Sequence, residues 1–181
     1  MKDFRFLSMA LGLAMTAPGV SAAELALSIE LPRIDVAEYH RPYVAAWIER
    51  EDRSVAAQLS VWYQLDRPAP SGAAPRGESG TKWLPDLRQW WRRGGRDLAM
   101  PVDGLSSATR PVGTHVLRFD AGSRPLAGLE DGRYRLVVEA AREEGGREQL
   151  PIAFDWPPAS GQTLDARGRS ELGAVQLQLT P

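Results

Sequence analysis

The side chains with most capacity for chemistry lie between residues 83 and 115. Trp83, Trp90 and Trp91 are interleaved with Arg88, Arg92 and Arg93, and Arg110 follows a short way on. Indole faces stack on planar rings, and a guanidinium fork matches two oxygens of a phosphate group. These residues could therefore cradle a flat, phosphate-bearing ligand. The plainer alternative is a small amphipathic helix with Trp in the core and Arg in water. Between the two groups runs a polar connection, Asp103-Gly104-Leu105-Ser106-Ser107-Ala108-Thr109. Other chemistries are poorly provided for. His40 and His115 are the only histidines, and His115 shares a strand face with Leu117 and Phe119, as a core or rim histidine would. Glu143-Glu144 and the Glu49–Asp52 group fall in turns, where carboxylates are normally solvated. No P-loop, dinucleotide fingerprint, nucleophile elbow or Cys/His metal spacing is present. No catalytic constellation is visible, which favours a chain without catalysis of its own.

The elements that must position these residues begin after a leader. Lys2 and Arg5 precede a mostly apolar run, Phe6 to Ala17, and Val20-Ser21-Ala22-Ala23 offers small residues for cleavage. That is the pattern of a signal peptide over residues 1–23. The run falls short of the roughly 20 residues that span a bilayer, so the expectation is an exported protein, in the periplasm, that does not span the membrane after cleavage. Removing Lys2, Asp3 and Arg5 moves the formal charge from -1 to about -2, and a near-neutral chain has no electrostatic footprint for nucleic acid. The absence of cysteine excludes a lipidated cysteine, disulfides and thiolate metal sites. Residues 24–181 suit one domain, long enough to bury a core without staples.

Within that domain the pattern is that of strands. Leu25, Leu27, Ile29 and Leu31 alternate with polar residues, and Pro32 ends the run. Residues 43–49 are apolar on both faces, as expected of an inner strand. Residues 55–63 alternate and form a hairpin with it across a charged turn. Residues 66–80, rich in Pro, Gly and Ser, read as a loop. Pro85 and Asp86 suit a helix start, and Arg92-Arg93 with Gly94-Gly95 suit its end; Leu84, Leu87 and Trp91 would form its apolar face. Strands follow at 114–119 and from Gly132, where Tyr134, Leu136, Val138 and Ala140 share a face. A hairpin at Gly145-Gly146 leads into a strand that Pro151 assigns to an edge. Residues 157–169 read as loop, and Val175, Leu177 and Leu179 close the chain. About seven strands and one short helix predict an all-β sandwich.

Three resemblances sharpen this. Phe119-Asp120 through Gly132-Arg133-Tyr134-Arg135-Leu136 resembles the strand-turn-strand unit of immunoglobulin-like domains of flagellar hook-capping type, which implies an immunoglobulin-like form of the sandwich. Blocks at residues 41–49, 82–93, 108–115, 139–143 and 171–173 are similar, in order and spacing, to a bacterial exported family known as domain of unknown function 2271. Its members often accompany flavin transferases and membrane-bound redox proteins. Asp103 to Thr109 resembles the Asp-x-x-Ser/Thr-Gly-Ala-Thr signature of proteins to which flavin transferases attach FMN through its phosphate. That resemblance implies covalent FMN on Thr109, with Asp103 and Ser106 recognised by the transferase. Ser107 stands where the family usually has Gly, a residue that admits positive φ more readily.

Two functional expectations follow. In the first, the protein is a periplasmic electron-transfer module bearing FMN on Thr109 and working with a membrane redox partner, and Arg110, Trp90 and Trp91 contribute to the flavin cradle. In the second, it is a non-catalytic binding or scaffold module of the cell envelope that uses its sheet edges and Trp-rich helix. Carbohydrate or peptide binding is a third possibility that a sandwich admits.

Overall fold

The computed structural model describes residues 23–65 and 79–181; the leader and most of the 66–80 loop lie outside them. Nine strands among the described residues form two sheets. β1 (Glu24–Leu31), β2 (Tyr43–Glu49) and β3 (Val55–Tyr63) stand where the alternation places them. β4 (Ser106–Ala108), β5 (Gly113–Asp120), β6 (Gly132–Ala141), β7 (Arg147–Trp156), β8 (Gln162–Arg167) and β9 (Ala174–Thr180) complete the set. One sheet has the order β5-β1-β9-β8 and the other β4-β3-β2-β6-β7. The architecture is an all-β sandwich.

Period-2 alternation explains the core. Leu25, Leu27, Ile29 and Leu31 of β1 meet Val175, Leu177 and Leu179 of β9 on the inner face of one sheet. Val44, Ala46 and Ile48 of β2, with Leu136, Val138 and Ala140 of β6, face them from the other. Tyr134 is buried beside Leu136, and its hydroxyl donates to the Glu130 carbonyl at 2.9 Å. β2 is apolar on both faces because a second core covers its outer side, where Ala45 and Trp47 pack with Val61, Tyr63 and Val137. Residues 80–105 form that cover. β7 is an edge strand, so Pro151 leaves no ladder donor missing.

The structure differs from the sequence expectation at four points. The strand count is nine rather than about seven. β8 occupies residues assigned to loop; only Leu164 and Ala166 face the core from its six residues, too short an apolar alternation to stand out. β4 lies within the expected polar connection and pairs in parallel with β3. The helical region also differs. It is a 3-10 helix, Gly80–Asp86, then the short α1 (Arg88–Arg92), then a 3-10 turn, Gly95–Asp97. Leu84, Leu87 and Trp90 are the fully buried positions. The 3-10 turn sets the three-residue step from Leu84 to Leu87, and in α1 it is Trp90 that is fully buried while Trp91 packs only partly against the same core.

Candidate functional site

The 3-10/α1 segment is fastened to the sheet by a buried carboxylate. Glu139 of β6 accepts from the backbone N–H groups of Gln89 and Trp90, both Glu139 oxygens lying 2.8–3.1 Å from these donors. A short helix has unsatisfied N–H groups at its start, and here the cap comes from the sheet rather than from Asp86. Burial pushes the Glu139 carboxyl above its ordinary value, against the pull of the Trp90 and Gln89 N–H groups and of Arg147. Trp90 is completely buried, and its Nε1–H donates to Gln58 at 2.9 Å. Trp90 is therefore a core anchor, and its faces are not open to a ligand. Trp91 is half-buried against the same core, while Trp83 is exposed under Lys82. Arg93 is drawn to Glu49, 3.6 Å away, and Arg88 and Arg92 are exposed. The cradle expected from these Trp and Arg residues is not assembled as one site.

The Thr109 loop is built from its neighbours on both sides. Asp103-Gly104 forms a tight turn in which Gly104 has φ +72, and the N–H groups of Leu105 and Ser106 donate to the Val102 carbonyl. Ser106 Oγ accepts from the Val102 N–H at 2.9 Å, so this hydroxyl holds the turn. Leu105 is buried in the outer core, and Asp103 is exposed. The Val61 N–H donates to the Leu105 carbonyl, and the Thr109 N–H donates to the Tyr63 carbonyl at 3.2 Å. Both ends of the loop are thus pinned to β3. Ser107 lies in β4 and is not among the positive-φ residues. The backbone at this position therefore does not call for glycine.

Beyond Thr109 the chain crosses from one sheet to the other, and it does so over Trp62. Arg110 places its guanidinium carbon 5.1 Å from the Trp62 ring centroid, a cation–π distance. His115 of β5 meets the same ring edge-on, with centroids 5.6 Å apart, and its Nε2 lies 2.8 Å from the Pro111 carbonyl. Trp62 and Ser107 are register partners on adjacent parallel strands, so their side chains share a face. Trp62 Nε1 and Ser107 Oγ are buried and have no hydrogen-bond partner among the described residues. Such orphans are rare and call for an explanation. The Thr109 hydroxyl likewise has no described partner, and its side chain is half-buried. Of the expected cofactor residues, the structure brings Thr109 and Arg110 together with Ser106 and Asp103 one turn before them. Trp90 and Trp91 belong to a separate core. Trp62, which the sequence pattern did not single out, is buried in the inner core and is the ring against which Arg110 and His115 pack.

Four further carboxylates act as fasteners that sequence reasoning missed. Glu148 accepts from four consecutive backbone N–H groups, those of Arg169, Ser170, Glu171 and Leu172, at 2.6–3.0 Å. Glu171 receives a two-pronged Arg142 at 2.9 and 3.2 Å and the Gly146 N–H at 2.7 Å. Glu30 accepts from the Ala174 N–H at 2.8 Å. Glu49 is held by Trp47, Arg93 and Arg135. Among the described residues there is no cluster of three His, Cys, Asp or Glu side chains that could hold a metal. None of their helices is long and apolar enough to cross a membrane.

The molecule is thus an all-β sandwich with a hydroxyl-bearing loop bonded to β3 at one sheet edge. It belongs to the family described as predicted periplasmic protein (DUF2271), whose model matches residues 24–174. Comparison with curated proteins and with solved structures gives no match to the chain.

Proposed function

We propose that this is an exported module, delivered by its 1–23 leader, that carries FMN esterified to Thr109 and passes electrons to or from a membrane-bound redox partner. The observation that carries the reading is the state of Thr109. Its backbone is bonded to the Tyr63 carbonyl at the end of β4, while its hydroxyl has no described partner. An acceptor hydroxyl must be held in place and yet be reachable; the bond to Tyr63 supports the first, and a side chain that is not fully buried supports the second. The step would draw on a flavin dinucleotide brought by the transferase: the Thr109 Oγ–P bond forms as the donor's pyrophosphate P–O bond breaks, the nucleoside monophosphate leaves, the hydroxyl proton is released, and the protein gains FMN less one water.

The residues around Thr109 fit such a group in kind. Arg110 brings a cation beside the phosphate attachment point, and guanidinium forks suit phosphate oxygens. The orphaned Trp62 Nε1–H and Ser107 Oγ beside it supply further polar capacity. The flavin, when bound, supplies the redox chemistry; the protein supplies attachment and charge. Ser106 keeps the turn in shape through Val102, and the exposed Asp103 is the side chain a flavin transferase would read.

A second reading, the non-catalytic envelope module, is favoured by exposed Val112 and Val116 (44% and 55% exposed) at edge strand β5. An apolar edge strand offers a partner both side chains and ladder groups. Absorbance separates the two. Protein made alongside a flavin transferase and then denatured and precipitated should remain yellow on the first reading, with Thr109→Ala colourless. Colourless wild type supports the second.

A further inference from the structure

The outer face of the five-stranded sheet holds another polar site, at the opposite end of β2 and β3 from Tyr63 and Thr109. A cavity of about 210 Å³ lies there, and Glu49, Arg53, Gln89, Arg93, Arg135 and Gln149 contribute to its wall. Its organising group is Glu49, whose side chain is only 5% exposed. Trp47 Nε1 donates to one carboxylate oxygen at 2.9 Å, and Arg93 lies 3.6 Å from that same oxygen. Arg135 Nη2 donates to the other oxygen at 3.2 Å.

The Glu49 carboxylate is therefore already engaged on both oxygens, while most of the guanidinium donors around it are not. A guanidinium carries five N–H donors, and Arg93 and Arg135 each direct one nitrogen to Glu49. Their remaining donors have no described partner. Arg53 stands in the β2–β3 turn with φ 67, and its guanidinium has no described partner either. Three guanidiniums against one carboxylate leave a formal charge of +2 around one concavity. Arg93 and Arg135 are about two-thirds buried (31% and 34% exposed), so water competes less for them than at an open surface. Gln89 and Gln149 add neutral amides, each able to turn its NH2 group toward an anion.

Fixed guanidiniums with spare donors are complementary to oxyanions. A water occupies about 30 Å³, so the cavity exceeds one water several-fold. It falls below the range of roughly 300 Å³ and upward typical of larger organic ligands. We propose that this cavity is an oxyanion site that takes a phosphate group, with Arg53, Arg93 and Arg135 as its ligands and Glu49 as the buried group that holds two of them in place. The proposal is independent of flavin attachment. The phosphate could be free or could be the headgroup of an anionic phospholipid; both present the same chemistry.

The test is titration of the full protein with inorganic phosphate, followed by amide chemical shifts. Saturable shifts confined to the β2–β3 turn, the end of α1 and the facing β6–β7 residues are expected. Arg53→Gln, in an exposed turn, should weaken binding about tenfold, as expected for loss of a charged hydrogen-bonding ligand. Arg88→Gln, an exposed arginine outside the cavity, should leave binding unchanged. Arg135→Gln should abolish it; if that variant unfolds, Arg53→Gln alone decides. Phosphatidylglycerol vesicles that displace inorganic phosphate identify the headgroup as source, and vesicles without effect identify free phosphate; either result upholds the site. Absence of saturable shifts, or equal binding by wild type and Arg53→Gln, would overturn it.

Discussion

Glu148 offers the sharpest test of how the fold is held. Its carboxylate gathers four backbone N–H groups from residues 169–172. Hydrogen bonds to charged groups contribute roughly 1.5–3 kcal/mol each. Arg169 and Ser170 are exposed, so water replaces the carboxylate there at little cost. Glu171 and Leu172 are buried (3% and 2% exposed), and their N–H groups would be left without an acceptor. Two such losses predict that Glu148→Ala costs about 3 kcal/mol. The loop also presents Glu171 to Arg142, and a side chain at Gly168 would collide with the Leu172 carbonyl, so there is little room for the loop to refold around the loss. Acid should reveal the same clasp. Burial pushes the Glu148 carboxyl up, but the N–H groups of Leu172, Arg169 and Ser170 together outweigh it and hold the carboxyl below its ordinary value. A lowered folded value means stability that is fully present above the ordinary carboxylate range and is lost as pH falls through the folded value. Urea unfolding followed by Trp fluorescence should show the full gap between wild type and Glu148→Ala near neutral pH, narrowing in acid. A neutral-pH gap below about 1 kcal/mol, or a gap that persists in acid, would refute the reasoning.

Other predictions follow from the same geometry. Burial raises the Glu139 carboxyl, so the folded state holds its proton above the pH at which the unfolded chain releases it. Stability from this group falls as pH rises through that window, and Glu139→Gln should flatten the slope in paired urea titrations. Trp90→Ala should cost about 3–5 kcal/mol, and Trp91→Ala, at a half-buried position, clearly less; equal losses in thermal unfolding would contradict the placement of Trp90. Ser107 Oγ is buried without a partner, so Ser107→Ala should be at least as stable as wild type, whereas a loss above about 1 kcal/mol would reveal a bonded hydroxyl. Gly104→Ala should cost about 1 kcal/mol through its positive φ, with the loss visible as faster amide exchange at Leu105 and Ser106.

The strands of the sandwich were largely written in period-2 alternation, and β2 declared its central place by being apolar on both faces. What alternation could not convey was register across long gaps. Glu30 and Ala174 are 144 residues apart, and Glu49 and Arg135 are 86 apart, so those pairings exist only once the sheets close. One signal was available: Glu139 interrupts the apolar run Leu136-Val137-Val138 before Ala140-Ala141. A charge inside a strand covered on both faces must have a partner. The helix misled because Leu84, Leu87 and Trp90 follow a three-residue step, which a 3.6-residue reading shifts onto Trp91. β8 was hidden by having only two inward apolar residues. At the candidate site, Thr109, Arg110 and the Asp103 turn were legible as a polar loop feeding a strand. Trp62, 47 positions before Thr109, comes beside Ser107 only through the parallel pairing of β3 with β4.

The central claim is that Thr109 is the attachment point of a flavin. Intact mass spectrometry of protein exported from cells that also make a flavin transferase tests it most directly, with Thr109→Ala beside it. The account predicts the mass of FMN less one water on wild type and no addition on the variant. An unmodified wild type, or the same addition on Thr109→Ala, would contradict it.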